Sequence, residues 1–348
     1  MFDKLIGNNH IKEILRRMLR KERVPHSLLF AGAEGVGKKR FALELAKAFV
    51  CQNPTGAEAC DKCSACRRAD RFVFPKSDDK KDDFEKVFFS EHSDVGIVIP
   101  YKNGILINAV RDLEKEANFR PYEARARFFI IDDAEKLNSA KDNAANALLK
   151  TLEEPVATTY IFLISSRPDA LLPTILSRCQ TLRFAPVEAK EIKNHLLETK
   201  KFASDDAEIL ARLASGSIGN ALETDLIKFR EQREVMLRVL ESLLIKPNRS
   251  ILLKTAEEMN DAKHKEKYEN FLDILQTLIH DVWTVRFGGN DEAVVNADIK
   301  AALARFAEKA DAKRLAAWLS EIETMRERFA VNLNKKIATD ALFMQMAG

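Results

Sequence analysis

The run Gly32-Ala33-Glu34-Gly35-Val36-Gly37-Lys38 constrains what this chain can fold into more than any other feature. Its spacing is G-x-x-x-x-G-K. It lies between an apolar stretch, Ser27 to Ala31, and an amphipathic one, Lys38 to Val50, whose apolar stripe holds Phe41, Leu45, Ala48 and Phe49. Strand, glycine-rich turn and helix in that order make a phosphate cradle. Backbone N–H groups and the helix N-terminus face the anion, and the lysine reaches the outer phosphates. Gly96 to Ile99, Phe128 to Ile131, Tyr160 to Ile164 and Thr181 to Phe184 read as further strands, with helices over Ile105 to Ala117 and Ala140 to Leu152. Apolar strands alternating with helices predict a mostly parallel sheet covered on both faces.

The cradle carries substitutions that bear on chemistry. After Lys38, a serine or threonine would hold magnesium. This chain has Lys39 there, which has no acceptor and brings a positive charge. Asp132-Asp133 closes the strand Phe128 to Ile131 as the acidic element. Asp132 takes the metal-orienting place, and Asp133 stands where a hydrolysing site needs a glutamate to polarise water. The shorter side chain withdraws the carboxylate by about one methylene, and a displacement of about 1 Å is costly in catalysis. The set Gly32, Gly35, Gly37, Lys38, Lys39, Asp132 and Asp133 is therefore expected to be a degenerate nucleotide site without efficient hydrolysis. Binding through Lys38 and the loop remains compatible with that. A chain of this kind is expected to work as one part of a larger machine.

Four of the five cysteines, Cys51, Cys60, Cys63 and Cys66, lie close together, while Cys179 stands apart. Pro54 and Gly56 let the long gap loop back. Four thiolates suit tetrahedral zinc, with a structural role because no coordination position is left for substrate. An iron–sulfur cluster is the competing metal and free thiols the alternative without one. Nothing else in the chain is redox-active, which favours zinc. His92 reads as a packing or surface histidine.

A length of 348 residues predicts two or three domains. A net charge of +3 neither demands nor excludes nucleic acid. The first helix, with Ile11, Ile14, Leu15, Met18 and Leu19 on its apolar side, carries Arg16, Arg17 and Arg20 among its polar positions, and Arg16 and Arg17 are weak candidates for DNA contact. The charged run Lys76 to Lys86 reads as a solvated excursion. No stretch approaches the roughly 18 apolar residues of a membrane helix, and Met1 to Gly7 has no signal-peptide core, so a cytoplasmic protein with no membrane partner is expected. From Pro186 the strand signal disappears. Short helices over Glu188 to Thr199 and Asp206 to Leu213 precede the turn-rich run Ser215 to Asn220, and the remainder is helical.

The order of these blocks resembles the AAA+ clamp-loader family. The resemblance rests on Val24 to Phe30 before the loop, on the cysteines after the loop helix, and on Asn118-Phe119-Arg120-Pro121-Tyr122 leading into Asp132-Asp133-Ala134-Glu135. It rests further on Asn143 to Pro155 and, most specifically, on Leu171-Leu172-Pro173-Thr174-Ile175-Leu176-Ser177-Arg178-Cys179. It implies a P-loop NTPase (AAA+) domain over 1–185 with its zinc module at 51–66, a helical lid over 186–225 and a helical collar for oligomerisation over 226–348. It makes Arg178 an arginine finger for ATP and Mg2+ held by an adjacent subunit. Ser165 and Ser166 fall at the first nucleotide sensor, and Asn220 falls near the second, where an arginine would be usual. Cys179 becomes a packing residue.

The resemblance also implies partners: hydrolysing gamma/tau-like ATPases, a delta-like subunit, a sliding clamp and primer-template DNA in replication. It implies a stator with no ATPase activity of its own, and nothing in the sequence resembles a polymerase active site. Three alternatives are a hydrolysing gamma/tau-like loader subunit, an independent ATP-dependent DNA-processing protein, and a zinc-stapled interaction protein without a loader role.

Overall fold

The computed structural model describes residues 1–76, 79–138, 144–199, 202–260, 268–290, 293–329 and 334–348. The chain divides into two compact units, Met1–His195 with Ala214–Asn220, and Leu196–Leu213 with Ala221–Gly348.

The first unit is built from α1 (Asn9–Arg20), β1 (Ser27–Ala31), α2 (Lys38–Val50), α3 (Ser64–Ala69), β2 (Phe88–Phe89), β3 (Val95–Val98) and α4 (Ile107–Ala117). It continues with β4 (Arg127–Ile131), α5 (Ala144–Glu153), β5 (Thr159–Ser165), α6 (Pro173–Leu176), β6 (Gln180–Arg183) and the start of α7 (Ala189–Glu198). The strands form one sheet in the order β2-β3-β4-β5-β1-β6. Five are parallel, and β2 pairs antiparallel with β3 at the edge. In register, Ala31 lies beside Ser165 on one flank and beside Arg183 on the other.

Neighbouring residues of a strand point to opposite faces, which explains why these strands are apolar throughout. Leu28, Phe30, Phe128, Ile130 and Phe162 pack with Ile11, Leu15, Phe41 and Leu45 of α1 and α2. Leu29, Phe129, Ile131, Ile161 and Leu163 pack on the other side with Val110, Leu113, Leu148 and Leu152 of α4 and α5. Burying both faces fixes the carboxyl ends of β1, β4 and β5, where the loop, the acidic pair and the two serines stand.

Several expectations change. The first residues of the expected helix, 140–143, lie outside the described residues, as do 77 and 78 of the charged run. The rest of that run is not simply solvated: a 3-10 turn, Lys81–Phe84, buries Phe84 against Phe88 and Tyr101. The edge strand β2 is too short to show a period in sequence. The run read as turns through Asn220 becomes helical at Ile218, beginning α9. Arg16 is not free for DNA. Its guanidinium donates to Glu58 at 2.7 Å, Glu13 at 2.8 Å and Asp3 at 2.6 Å, tying the first helix to the cysteine segment.

The second unit is all-helical. It contains α8 (Ser204–Leu213), α9 (Ile218–Glu223, whose first turn lies in the other unit), α10 (Leu226–Leu244), α11 (Arg249–Asn260), α12 (Tyr268–Arg286), α13 (Lys300–Lys309), α14 (Ala312–Phe329) and α15 (Lys335–Met346). Met236, Leu243, Phe271, Leu275, Trp318 and Phe343 share its core. Two polar anchors set its chain ends and loops. Trp318 Nε1 donates to the Met346 carbonyl at 3.0 Å. Asp281, fully buried, accepts from the Val295 and Asn296 amides and the Asn296 side chain at 2.7–2.8 Å. Among the described residues, no helix is long and apolar enough to cross a membrane.

Candidate functional site

Gly32 to Lys38 turns between β1 and α2, with Gly37 at φ +97° capping the helix. At Gly32 an added Cβ would stand 2.7 Å from the Phe184 carbonyl, so only glycine lets the loop leave β1 beside β6. The loop's own cations fill it. Lys38 Nζ folds back to donate to the carbonyls of Gly32 at 2.7 Å and Ala33 at 2.6 Å, and burial lowers its pKa below the usual lysine value. Lys39 Nζ pairs with Asp132 Oδ2 at 2.7 Å. An ammonium thus meets the carboxylate that would orient a metal. Asp133, at φ +46°, pairs instead with Lys136 at 2.8 Å.

The surrounding groups are also engaged. Glu135, which the sequence reading quoted but gave no role, is buried beneath this site. Its Oε1 accepts from the Ser166 hydroxyl at 2.5 Å and amide at 3.3 Å. Burial raises its pKa, but the hydrogen bonds from Ser166 and Ser165 outweigh this and hold it below the ordinary value. Ser165 Oγ accepts from the Arg167 amide at 3.2 Å. The first turn of α9 and the residue before it close on the loop tip: the Gly219 amide donates to the Gly35 carbonyl at 2.9 Å, and a side chain at Gly35 would collide with Ser217 Oγ. Ser217 Oγ accepts from the Asn220 amide at 3.1 Å. The signal for this closure is the glycine pair Gly35 and Gly219, whose meeting requires the fold.

The four clustered cysteines converge, their Sγ atoms all within 4.8 Å of one another and Cys51 to Cys63 at 4.0 Å. With Zn–S bonds of about 2.3 Å, sulfurs of a tetrahedral zinc lie about 3.8 Å apart, so the set fits. Amides of Cys60, Cys63 and Cys66 donate to the sulfurs of Cys51, Cys60 and Cys63 at 3.2–3.4 Å, which favours thiolates. Burial raises Cys63, yet the Cys66 and Gln52 amides bring it down to about 6, whereas burial holds the Cys51 and Cys66 thiols above their ordinary value. The module is tied to α2 by Lys47, whose buried ammonium pairs with Glu44 at 3.1 Å, Asp61 at 2.6 Å and Asp70 at 2.8 Å. His92 is buried and is not a member of the converging set, its Nδ1 accepting from the Asp94 amide at 3.3 Å.

Arg178 closes α6 and reaches the surface of its unit. It donates to the Thr174 carbonyl at 2.9 Å and forms an ion pair with Glu153, a residue the sequence reading did not single out. Cys179 beside it is buried among Leu148, Leu163 and Ile175, and burial pushes its thiol up to about 12.

A five-stranded parallel array with the phosphate loop after β1, helices on both faces and a helical unit following it define an AAA+-type P-loop protein. A family model described as DNA polymerase III, delta subunit, matches residues 7–188, and a second, for its C terminal part, matches 228–346. The delta-prime subunit of DNA polymerase III from Bacillus subtilis is 31% identical over 82% of this chain and 79% of its own length. That from Escherichia coli is 27% identical over 92% of this chain and 88% of its own. The Bacillus subtilis tau subunit is 28% identical over 79% of this chain but only 46% of its own length. The chain belongs to the delta-prime family of DNA polymerase III subunits.

Proposed function

We propose that this chain is the stator of a clamp loader: it couples ATP hydrolysis in a neighbouring subunit to placement of a sliding clamp on primed DNA, without hydrolysing ATP itself. The observation that carries this is the ion pair of Lys39 with Asp132, which sets a protein cation against the metal-orienting acid and leaves no magnesium ligand at position 39. Lys38 turned onto its own loop supports the same reading.

The role left to the chain is outward. Arg178 would exchange Glu153 for phosphate oxygens of ATP bound next door, where a guanidinium's fixed donors stabilise charge on the transferring phosphoryl group. Zinc at Cys51, Cys60, Cys63 and Cys66 would be structural, fixing the segment that Arg16 and Lys47 hold to the first two helices. The partners are gamma/tau-like ATPases, a delta-like subunit, the clamp and primer-template DNA. Residues 1–185 carry the finger, 186–225 act as lid and 226–348 as collar.

The test is ATPase activity of the reconstituted loader with clamp and primed DNA, comparing Arg178→Ala with wild type. A loss of about tenfold or more with assembly intact is expected. An unchanged rate in an intact complex would remove the finger role.

A further inference from the structure

At the amino-terminal ends of the central strands β4 and β5, opposite the phosphate loop, an open cleft of ≈ 590 Å3 lies between the ends of α1 and α2 and the cysteine loop. Its size suits a small organic ligand, about 300–1,000 Å3 being usual. Arg20, Glu22, Phe49, Gly56, Arg125 and Tyr160 are among its lining residues. Gly56, at φ +64°, belongs to the cysteine loop and has nothing within 4 Å of where a Cβ would stand.

The chemistry of this wall is uneven. Among the described residues, neither arginine has a salt-bridge or hydrogen-bond partner, in contrast to Arg16 on the same helix, which has three carboxylates. The Tyr160 ring is held between His26 at 4.9 Å and Phe128 at 5.1 Å, both nearly parallel to it, so its position is set by the core. Its hydroxyl nonetheless has no hydrogen-bond partner among the described residues, and burial alone raises its pKa, keeping it a donor. Phe49 leans on Phe128 and Tyr160 and borders the same space. Two exposed arginines and one half-buried tyrosine thus line a partly aromatic cleft with a single carboxylate, Glu22, on its wall.

We propose that this cavity is a nucleotide-binding site independent of the phosphate loop, with Arg20 and Arg125 on the phosphate, the Tyr160 hydroxyl as a further donor and Phe49 against the base. Planar guanidiniums suit phosphate oxygens and also stack on flat rings, and an aromatic wall accepts any base. A free nucleotide and one unit of a single strand share this chemistry. The site does not depend on the stator reading, because neither Arg178 nor a neighbouring ATPase enters it.

Anisotropy titrations of the full zinc-loaded chain with mant-ADP and with a fluorescein-labelled ten-residue oligothymidylate test it. At least one probe should bind, and the Arg20→Ala/Arg125→Ala pair should weaken it at least tenfold, with zinc content and melting unchanged. Tyr160→Phe, which removes one oxygen, should weaken it about threefold. Lys38→Ala and the pair Arg17→Ala/Arg23→Ala should stay within twofold of wild type. Binding of mant-ADP assigns a free nucleotide, and binding of the oligomer alone assigns a strand. The proposal is overturned if neither probe binds, if Lys38→Ala abolishes binding, or if the Arg17/Arg23 pair loses as much as the cavity pair.

Discussion

Lys39 Nζ stands 2.7 Å from Asp132 Oδ2, so the acid that would orient a metal is neutralised by the residue that replaced the metal's other ligand. Restoring that ligand alone is not expected to restore catalysis. In Lys39→Thr, Lys38 still donates to Gly32 and Ala33, and Asp133 still points to Lys136. The lost pair is part-exposed and worth about 1 kcal/mol or less, so the variant should fold as wild type does. Phosphate release by the isolated variant should equal the protein-free blank. A turnover above it would show that position 39 alone disables the site.

The cysteines are expected to separate by function. Cys66→Ser removes a buried member of the converging set, and metal content should fall from about one zinc equivalent per chain to near none. Cys179→Ser should leave metal content unchanged and cost about 1–3 kcal/mol, the penalty of placing a hydroxyl among apolar neighbours. Atomic emission together with urea unfolding reads both. Equal metal loss from the two variants would contradict the assignment.

His92 should make stability fall with acid. Burial holds its pKa below the ordinary 6.5, outweighing nearby Glu123 and Asp94, which raise it. The unfolded chain therefore binds more protons at this site as pH drops through about 6.5, and folding loses stability there; above that pH the contribution is complete. Urea unfolding at pH 7.5 and 5.5 should show a decline that His92→Gln reduces. An unchanged slope would mean that the acid response belongs to other groups.

In the second unit Asp281→Ala should destabilise by roughly 2–4 kcal/mol. It strands the Val295 and Asn296 amides, which donate to this fully buried carboxylate at 2.8 Å each. Asp281→Asn, which keeps one acceptor oxygen, should lose less. Denaturant melts followed on Trp283 and Trp318, both in the helices of this unit, would record the order; equal losses would show that the charge and not the acceptor geometry matters.

Much of this was legible in the sequence because local chemistry dictates it. The apolar runs Ser27–Ala31 and Phe128 to Ile131 could satisfy both faces only inside a covered sheet, and the helix Lys38–Val50 follows from the glycine turn before it. Lys39 already excluded a magnesium ligand by its chemistry. What it pairs with was not legible, since Asp132 lies far along the chain and meets it only when β1 and β4 are set on either side of β5. The same holds for Glu135 under Ser166 and for Gly35 against Ser217. Arg16 shows the opposite error: an exposed-looking basic helix face is consumed by Asp3, Glu13 and Glu58, two of them outside the helix.

Glu153 is the residue through which Arg178 can be tested without deleting it. The pair is part-exposed at both ends, with side-chain exposures of 32% and 49%, so it is worth only about 0–1 kcal/mol. If Arg178 acts as proposed, that is enough to compete with a phosphate for the guanidinium but not to prevent the exchange. Glu153→Gln keeps the shape and removes the charge. In the reconstituted loader it should raise the ATPase rate up to about fivefold at subsaturating clamp and DNA, since 1 kcal/mol corresponds to that factor. In an Arg178→Ala background the same change should do nothing, because no guanidinium remains to release. A rise that persists without Arg178 would assign Glu153 an effect of its own, and no rise in either background would leave the pair a surface contact without a part in the transfer.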